Sequence, residues 1–484
     1  MERIRETLAA RGLLTDVRGT LPSEAAGISD DSRTIERGGL FIAVRGSTSD
    51  GHDFLDDAAS RGASCAIVED ATRTRLPALV VKKGREAAAL AAASAFQNPA
   101  QKLTLIGVTG TNGKTTTTSI LRHILDDGSS GTSASIGTLG VLIGSDGDVL
   151  PGGGGLTTPG PVELQRILRA LVDTGVRAVA MEVSSHSLDQ RRIDGIEFNA
   201  AVFTNLTRDH LDYHGTMKAY LAAKLRLLDY LGPNASVIVN ADASEWDSLP
   251  LSRAPLTFAI HKPADVRAEE VGFTPHGSKW RLVTARESAA VRLPLIGDVN
   301  VENALAAAAA AVAVGISIPA IVSRLATVPQ VPGRLEIIST RPTVLRDYAH
   351  TPDALQRALA TSRAFTSGKL IVMFGCGGDR DRGKRPLMGE IAEKGADSVI
   401  VTSDNPRTEN PDRIIDEVVA GMHAARYERV TDRHAAIERA IQMAGDDDIV
   451  LLAGKGHETY QVRGTVSYPF DEKEIVREIT RAHA

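Results

Sequence analysis

Cysteine is scarce in this 484-residue chain: Cys65 and Cys376 stand far apart, without CxxC spacing. That argues against a disulfide framework or a thiolate zinc site and fits a reducing compartment. No basic block occurs and the formal net charge is −5, so a nucleic-acid partner has no electrostatic footprint. No apolar run reaches the roughly 18–20 residues that a membrane-spanning helix needs. The longest candidate, residues 304–314, is alanine-rich and reads as a buried helix. The opening stretch MERIRETLAARGLL mixes charge with apolar residues at helical spacing and lacks the h-region of a secretory signal. A cytoplasmic protein without a membrane span is expected. Aromatic residues make up only 4%, so the cores should be aliphatic and helix-rich. No Ser/His/Asp or Cys/His arrangement is apparent, which turns attention from covalent catalysis to positioning and electrostatics.

What is present is ordinary for a chain with real cores: 43% hydrophobic and 24% charged residues. The length suggests roughly three domains. Apolar runs ending in glycine or polar turns alternate with helical stretches, the pattern of α/β architecture. GGLFIAV (38–44), CAIVE (65–69) and ALVVK (78–82) read as strands of a first domain, residues 1–100, closing near Asn98-Pro99. LTLIGVTG (103–110), VRAVAMEV (176–183), AAVFTNL (200–206) and ASVIVN (235–240) read as strands of a central domain, residues 101–332, with a flexible glycine run at 152–155. After the proline-glycine segment at 331–333, TVLRDYAH, KLIVMFGCGG, SVIVTSD and DIVLLAGKG predict a third domain, residues 333–484. In a parallel sheet the carboxyl ends of such strands line the binding crevice.

The sharpest local signal is GVTGTNGKTT (107–116), a strand running through glycines into a helix start. Glycines let backbone N–H groups face an anion, and the helix N-terminus adds a favourable dipole. Lys114 suits β/γ-phosphates and the Thr115 hydroxyl suits Mg²⁺. The spacing departs from GxxxxGK[ST], because Val108 occupies the first glycine position.

GTNGKTT resembles the ATP loop of the Mur ligase superfamily, which also includes folylpolyglutamate synthetases. The resemblance extends over about residues 25–475. It implies three α/β domains: one for the UDP-sugar, a central P-loop-type ATPase domain with a mostly parallel sheet, and a C-terminal Rossmann-like domain. It assigns Gly110, Thr111, Asn112, Gly113, Lys114, Thr115 and Thr116 to ATP, joined by Asn303, Arg334 and Asp347 from segments that reach the nucleotide when the third domain closes. Val299 stands where an aromatic is usual before the Asn300/Asn303 segment. Mg²⁺ is assigned to Thr115, Glu182, His210 and Lys224, the last as an N-carbamate, which gives a negative two-oxygen ligand where an ammonium would be repelled. Lys114, Lys224, His210 and Glu182 are thereby the catalytic set.

For the UDP-sugar peptide the resemblance points to Asp30, Ser32, Ser47, Thr48 and Ser49, near the DSR and DGH elements, and to Thr157, Thr158, Ser184, Gln190 and Arg192. Leu156 replaces a polar residue expected before the TTP triplet. For the amino acid it points to Arg380, Asp404, Asn405, Pro406, Arg407, Gly454 and Glu458. The DNPR tetrapeptide (404–407) is similar to that of the branch adding meso-diaminopimelate. Arg407 and Arg380 would pair the distal carboxylate, with Asn405 and Glu458 on the distal ammonium. The implied activity is ATP-dependent addition of meso-diaminopimelate to UDP-N-acetylmuramoyl-L-alanyl-D-glutamate through an acyl phosphate, in peptidoglycan precursor synthesis, by a monomer. Rivals are the same ligase with L-lysine, L-ornithine or diaminobutyrate, a folylpolyglutamate synthetase-like ligase, and a non-catalytic ATP-binding scaffold.

Overall fold

A computed structural model describes residues 1–46, 49–128, 131–153, 155–250, 254–274, 277–424 and 427–482. Ser47 and Thr48, and Gly154 of the glycine run, lie outside the described residues. The architecture is mixed α/β with three main sheets, and the chain divides into two compact units: residues 1–257 with 306–317, and 258–305 with 318–484.

The first unit holds two sheets. One has the order Leu14–Arg18, Ala78–Val81, Cys65–Val68, Leu40–Ile42, Ile28–Ser29, parallel except for its first edge strand. Its central strands read as continuous apolar runs because both faces are covered. Leu40, Ile42, Cys65 and Ile67 pack with Leu8, Ala88 and Ala91 of the helices Glu2–Ala10 and Gly84–Ala95. Phe41, Ala66 and Val68 face the opposite way, onto Leu55 and Ala58. The alanines of Gly84–Ala95 let that helix lie close to Pro161–Asp173.

In the second sheet of this unit the order is Leu231–Asn240, Phe198–Phe203, Thr104–Thr109, Ala178–Glu182, Ser133–Gly137, Gly140–Ile143, Asp148–Leu150. Its first five strands are mutually parallel and the last two form antiparallel pairs. Thr104–Thr109 lies between Ala178–Glu182 and Phe198–Phe203, so the ends of all three strands meet at one edge.

The second unit contains the antiparallel strands Val266–Thr274, Gly277–Thr284 and Ser288–Leu293. It also contains a six-stranded sheet in the order Glu336–Thr340, Thr343–Asp347, Ile449–Ala453, Leu370–Phe374, Ser398–Val401, Tyr427–Arg429. Only the first edge strand is antiparallel. Alternate residues of these strands face two different layers. Val372, Phe374, Val399 and Leu451 meet Leu355, Met388 and Ile414. Ile371, Met373, Ile400 and Val450 meet Ile437, Ile441 and Val476. Residues 304–311 lie in the helix Asp298–Ala313 and are no more than 1% exposed, as the alanine run leads one to expect.

A fully buried ion pair joins the last helix to the strand ends of the six-stranded sheet. Arg433 Nε donates to Glu472 Oε1 at 2.8 Å, while Nη2 and Nη1 donate to the carbonyls of Ala453 at 3.0 Å and Ser403 at 3.3 Å. Removing one partner of a buried pair leaves the other charge uncompensated. Glu472→Ala should therefore cost about 3–5 kcal/mol, read as an earlier calorimetric unfolding transition. An unshifted transition would show that the pair contributes nothing.

Candidate functional site

The strand Thr104–Thr109 runs into the loop 110–113 and the helix Lys114–Leu125. Gly110 (φ 152°) is required by a close approach: a Cβ there would sit 1.9 Å from Thr204 Oγ1. The end of the neighbouring strand holds the loop. Asn205 accepts the Thr111 N–H on its carbonyl at 2.8 Å and the Asn112 N–H on Oδ1 at 2.9 Å. Thr204 Oγ1 donates to the Asn112 carbonyl at 2.7 Å. Lys114 folds back over the loop, its Nζ donating to the carbonyls of Gly110 at 2.9 Å and Thr111 at 2.8 Å. Thr115 and Thr116 open the helix and are buried.

Lys224, on the helix Met217–Leu225, reaches the same place: its Nζ donates to the Gly110 carbonyl at 2.7 Å and lies 4.5 Å from the Tyr220 ring centroid. Burial, reinforced by the Lys114 charge, pushes its amine well below the ordinary lysine range. His210 stands in the same cluster, its ring 6.0 Å from Tyr220 and 4.8 Å from His186. Burial lowers the His210 pKa, and lowers that of His186 to about 4. Both imidazoles are therefore neutral near pH 7.

Glu182 ends the strand beside the phosphate-loop strand. Its carboxylate accepts Thr138 N–H on Oε1 at 2.8 Å and Thr138 Oγ1–H on Oε2 at 3.1 Å. Gly137 makes room for it, since a Cβ there would lie 2.1 Å from Oε1. A carboxylate, the Thr115 hydroxyl and a carbamate would be hard oxygen donors of the kind Mg²⁺ takes, with phosphates and water completing the shell. Among the described residues no three His, Cys, Asp or Glu side chains gather at a metal-sized site.

Thr138 also links Glu182 to the expected sugar-peptide residues, its hydroxyl lying 3.3 Å from Thr157 Oγ1. Thr158 Oγ1 donates to the Glu182 carbonyl at 2.8 Å and accepts the Ser184 N–H at 3.1 Å. Arg192 donates to the Thr158 carbonyl at 2.9 Å and to Gln190 Oε1 at 2.7 Å. A Cβ added at Gly160 would lie 3.8 Å from Asp30 Oδ2, so Asp30 stands near the same loop. Ser32 is buried, and Ser49 is exposed, its carbonyl accepting the Gly46 N–H. In the DGH element His52 is structural. Its Nδ1 lies 2.6 Å from Asp50 Oδ1 and its Nε2 accepts the Glu69 N–H at 3.0 Å, which puts the ring proton on Nδ1.

In the second unit Asn303 is buried on the helix Asp298–Ala313. The Arg334 guanidinium lies 4.7 Å over the Tyr348 ring. Asp347 Oδ2 accepts the Leu335 N–H at 2.7 Å, and burial pushes its carboxyl up to about 6 against the pull of Arg334.

Three adjacent strand ends bring the amino-acid residues together: Phe374 pairs with both Val401 and Ala453. Arg407 Nη1 donates to the Gly378 carbonyl at 2.9 Å, and Arg380 Nη1 to that of Asp379 at 3.0 Å. Asp404, Pro406 and Gly454 are buried beneath them. Asn405 Nδ2 donates to Glu458 Oε2 at 2.9 Å. The expectation that Asn405 binds an ammonium needs correction. Its Oδ1 already accepts Lys455 Nζ at 3.0 Å and the Val462 N–H at 2.9 Å, so the amide offers a ligand only a donor. Thr138 and Lys455 had been given no role from the sequence; both act through partners distant along the chain.

Fold and site together define a nucleotide-dependent ligase of three α/β layers. Family models match along the chain: Mur ligase family, catalytic domain, at residues 24–102; Mur ligase middle domain at 108–311; and Mur ligase, glutamate ligase domain, at 333–456. The chain belongs to the Mur ligase family. It is 44% identical over 459 residues to the UDP-N-acetylmuramoyl-L-alanyl-D-glutamate–2,6-diaminopimelate ligase of Geobacillus kaustophilus, covering 92% of this chain and 93% of that one. It is 45% identical over 469 residues to the ligase of the same name from Synechococcus elongatus, covering 93% of each. A solved structure bearing that ligase name superposes with a TM-score of 0.69 at 34% identity, over 97% of both chains.

The two Thr138 bonds that orient the Glu182 carboxylate give a direct test. Thr138→Val keeps the shape and the backbone N–H but removes the hydroxyl bond. It should weaken Mg²⁺ activation about 10–100-fold, the usual effect of losing a group that orients a metal ligand, with the thermal transition unchanged. An unaltered Mg²⁺ dependence would mean that Glu182 needs no such support.

Proposed function

We propose that the chain joins meso-2,6-diaminopimelate to the side-chain carboxylate of D-glutamate in UDP-N-acetylmuramoyl-L-alanyl-D-glutamate, at the expense of ATP. The observation that carries this reading is the cluster at three strand ends of the second unit. There Asn405 Nδ2 donates to the Glu458 carboxylate, and Arg407 donates to the Gly378 carbonyl on the adjacent strand-end loop. A diamino acid with a carboxylate and an ammonium on one distal carbon matches that pairing. L-Lysine would offer these donors no distal carboxylate, and a polar site left unmatched by its ligand can cost orders of magnitude in selectivity. The ligase names of relatives at 44% and 45% identity agree with this reading.

The reaction follows from the groups present. A D-Glu carboxylate oxygen attacks the γ-phosphorus of ATP, the bond to the β-phosphate oxygen breaks, and ADP leaves. The free α-amine of the diamino acid then attacks the acyl carbon of the acyl phosphate. The tetrahedral intermediate collapses by expelling phosphate, and the amine proton passes to solvent. Lys114 lies on the phosphate loop, where its charge stabilises phosphoryl oxygens as negative charge shifts between them. Thr115, Glu182, His210 and a carbamylated Lys224 would hold Mg²⁺, which supplies electrostatic stabilisation of the phosphates when bound. Thr157, Thr158, Ser184, Gln190 and Arg192 orient the sugar-peptide, with Asp30, Ser32 and the segment 47–49 on its nucleotide side. Asn303, Arg334 and Asp347 serve the nucleotide. The expected enzyme is cytoplasmic and monomeric. Both cysteines are unpaired and buried, and among the described residues no helix is long and apolar enough to cross a membrane.

Phosphate release with ATP, Mg²⁺ and UDP-N-acetylmuramoyl-L-alanyl-D-glutamate tests the reading, with meso-diaminopimelate, L-lysine, L-ornithine or L-diaminobutyrate added separately and product mass checked. Turnover with meso-diaminopimelate, at least about 10²-fold above the others in kcat/KM, is expected. Preference for a monocarboxylate would discard the selector, and no turnover with any of them would overturn the ligase reading.

A further inference from the structure

Lys455 is fully buried, yet it lies at the edge of the amino-acid site rather than in a structural ion pair remote from it. Its Nζ donates to Asn405 Oδ1 at 3.0 Å and to Glu458 Oε2 at 3.2 Å, and lies 5.7 Å from the Tyr460 ring centroid. Three facts about its neighbours give these two bonds a consequence. Asn405 Oδ1 also takes the Val462 N–H, so a cation and a backbone donor both face that end of the amide. Asn405 Nδ2 faces a carboxylate, Glu458 Oε2, at 2.9 Å. Asn405 itself is 4% exposed and its N–H bonds the preceding Asp404 side chain at 2.7 Å, so the residue has little freedom to relocate.

An amide side chain is nearly symmetric in shape, and only its hydrogen-bond partners decide which end is oxygen and which is nitrogen. Here the Val462 N–H and the Glu458 carboxylate both favour oxygen at that end, and the Lys455 ammonium adds a third partner. The ammonium of Lys455 makes the opposite orientation repulsive, because an inverted amide would point N–H groups at two donors.

We infer that Lys455 is a positioning residue for substrate selection, fixing the sense of the Asn405 amide and directing the Glu458 carboxylate, so that the site presents a donor to the distal carboxylate and an acceptor to the distal ammonium. The inference rests on the ligase reading proposed above and deepens it. With Oε2 of Glu458 engaged by both Lys455 and Asn405, its Oε1 is the oxygen that meets the ligand. Without Lys455 the amide loses one of the three partners that set its sense, and Glu458 loses the cation that restrains it. Both hydrogen bonds of Lys455 go to residues of the amino-acid cluster, so its effect is expected on the amino acid.

The test is steady-state kinetics of Lys455→Met, which keeps the length and apolar stem, beside Lys455→Arg and the parent. In Lys455→Met the KM for meso-diaminopimelate should rise about 10–100-fold, the range for losing a hydrogen bond to a charged group. The preference for meso-diaminopimelate over L-lysine should fall by a similar factor, while the KM values for ATP and the UDP-linked dipeptide stay within about twofold. Lys455→Arg should recover part of the preference. If Lys455→Met does not fold, Asn405→Asp asks the same question, since it replaces the presented donor by an acceptor and should lose the diaminopimelate preference. A folded Lys455→Met with unchanged KM and unchanged preference overturns the inference, as does an Asn405→Asp variant that retains the preference. A parent that turns over no diamino acid overturns the ligase reading itself, and this inference with it.

Discussion

Two lysine side chains, Lys114 and Lys224, end on one oxygen, the carbonyl of Gly110, at 2.9 and 2.7 Å. Two ammonium groups so placed repel strongly where water is scarce. The structure meets that conflict in two ways. Lys224 is wholly buried, and desolvation together with the Lys114 charge drives its amine toward the neutral form. Lys114 is only partly buried, where its ammonium would meet a polyphosphate. A neutral amine is the form that adds carbon dioxide, and the resulting carbamate would change a repulsive cation into an attractive anion beside Lys114. Carbamylated, Lys224 would offer oxygen donors of the kind a hard cation takes, beside the phosphate loop.

The rest of the first unit serves to make that convergence possible. Parallel pairing brings the ends of Thr104–Thr109, Ala178–Glu182 and Phe198–Phe203 to one edge. Asn205 and Thr204 then hold the loop from one side while Thr138 orients Glu182 from the other. The second unit repeats the device with different chemistry. Its adjacent strand ends carry 375–382, 402–407 and 454–458, and buried charges hold these loops from below. Arg433 bonds the Ser403 and Ala453 carbonyls. Arg385 bonds the Gly377 carbonyl at 3.1 Å while clamped by Glu409 and Glu417, and Glu409 in turn takes the Asp379 N–H at 2.6 Å. These strand-end loops are thereby held by ion pairs beneath them.

Much of this was legible in the chain, and the physical reason is continuity. Doubly covered parallel strands read as unbroken apolar runs, so Leu105–Val108, Val179–Met181 and Ile371–Phe374 were evident. Ser133–Gly137 was not, because Ser133, Ser135 and Gly137 carry no β-preference; its five residues are buried through tertiary packing alone. The strands from 266 to 293 are interspersed with Arg, Lys and Glu, and their alternation is irregular. The phosphate loop and the DNPR tetrapeptide could be read because each is contiguous. Thr138 acts on a residue 44 positions away and Lys455 on one 50 positions away, and no local pattern announces such a pairing. The sense of the Asn405 amide likewise depends on neighbours that only folding supplies.

Carbamylation of Lys224 is the point on which phosphate binding, metal affinity and turnover meet. The direct measurement is ¹³C NMR of the full-length protein equilibrated with ¹³C-bicarbonate, beside Lys224→Arg. The account predicts one bound carbamate resonance in the parent, absent from the variant, with its intensity following ligase activity as bicarbonate is withdrawn and restored. Full activity in a parent that carries no labelled carbamate would contradict it.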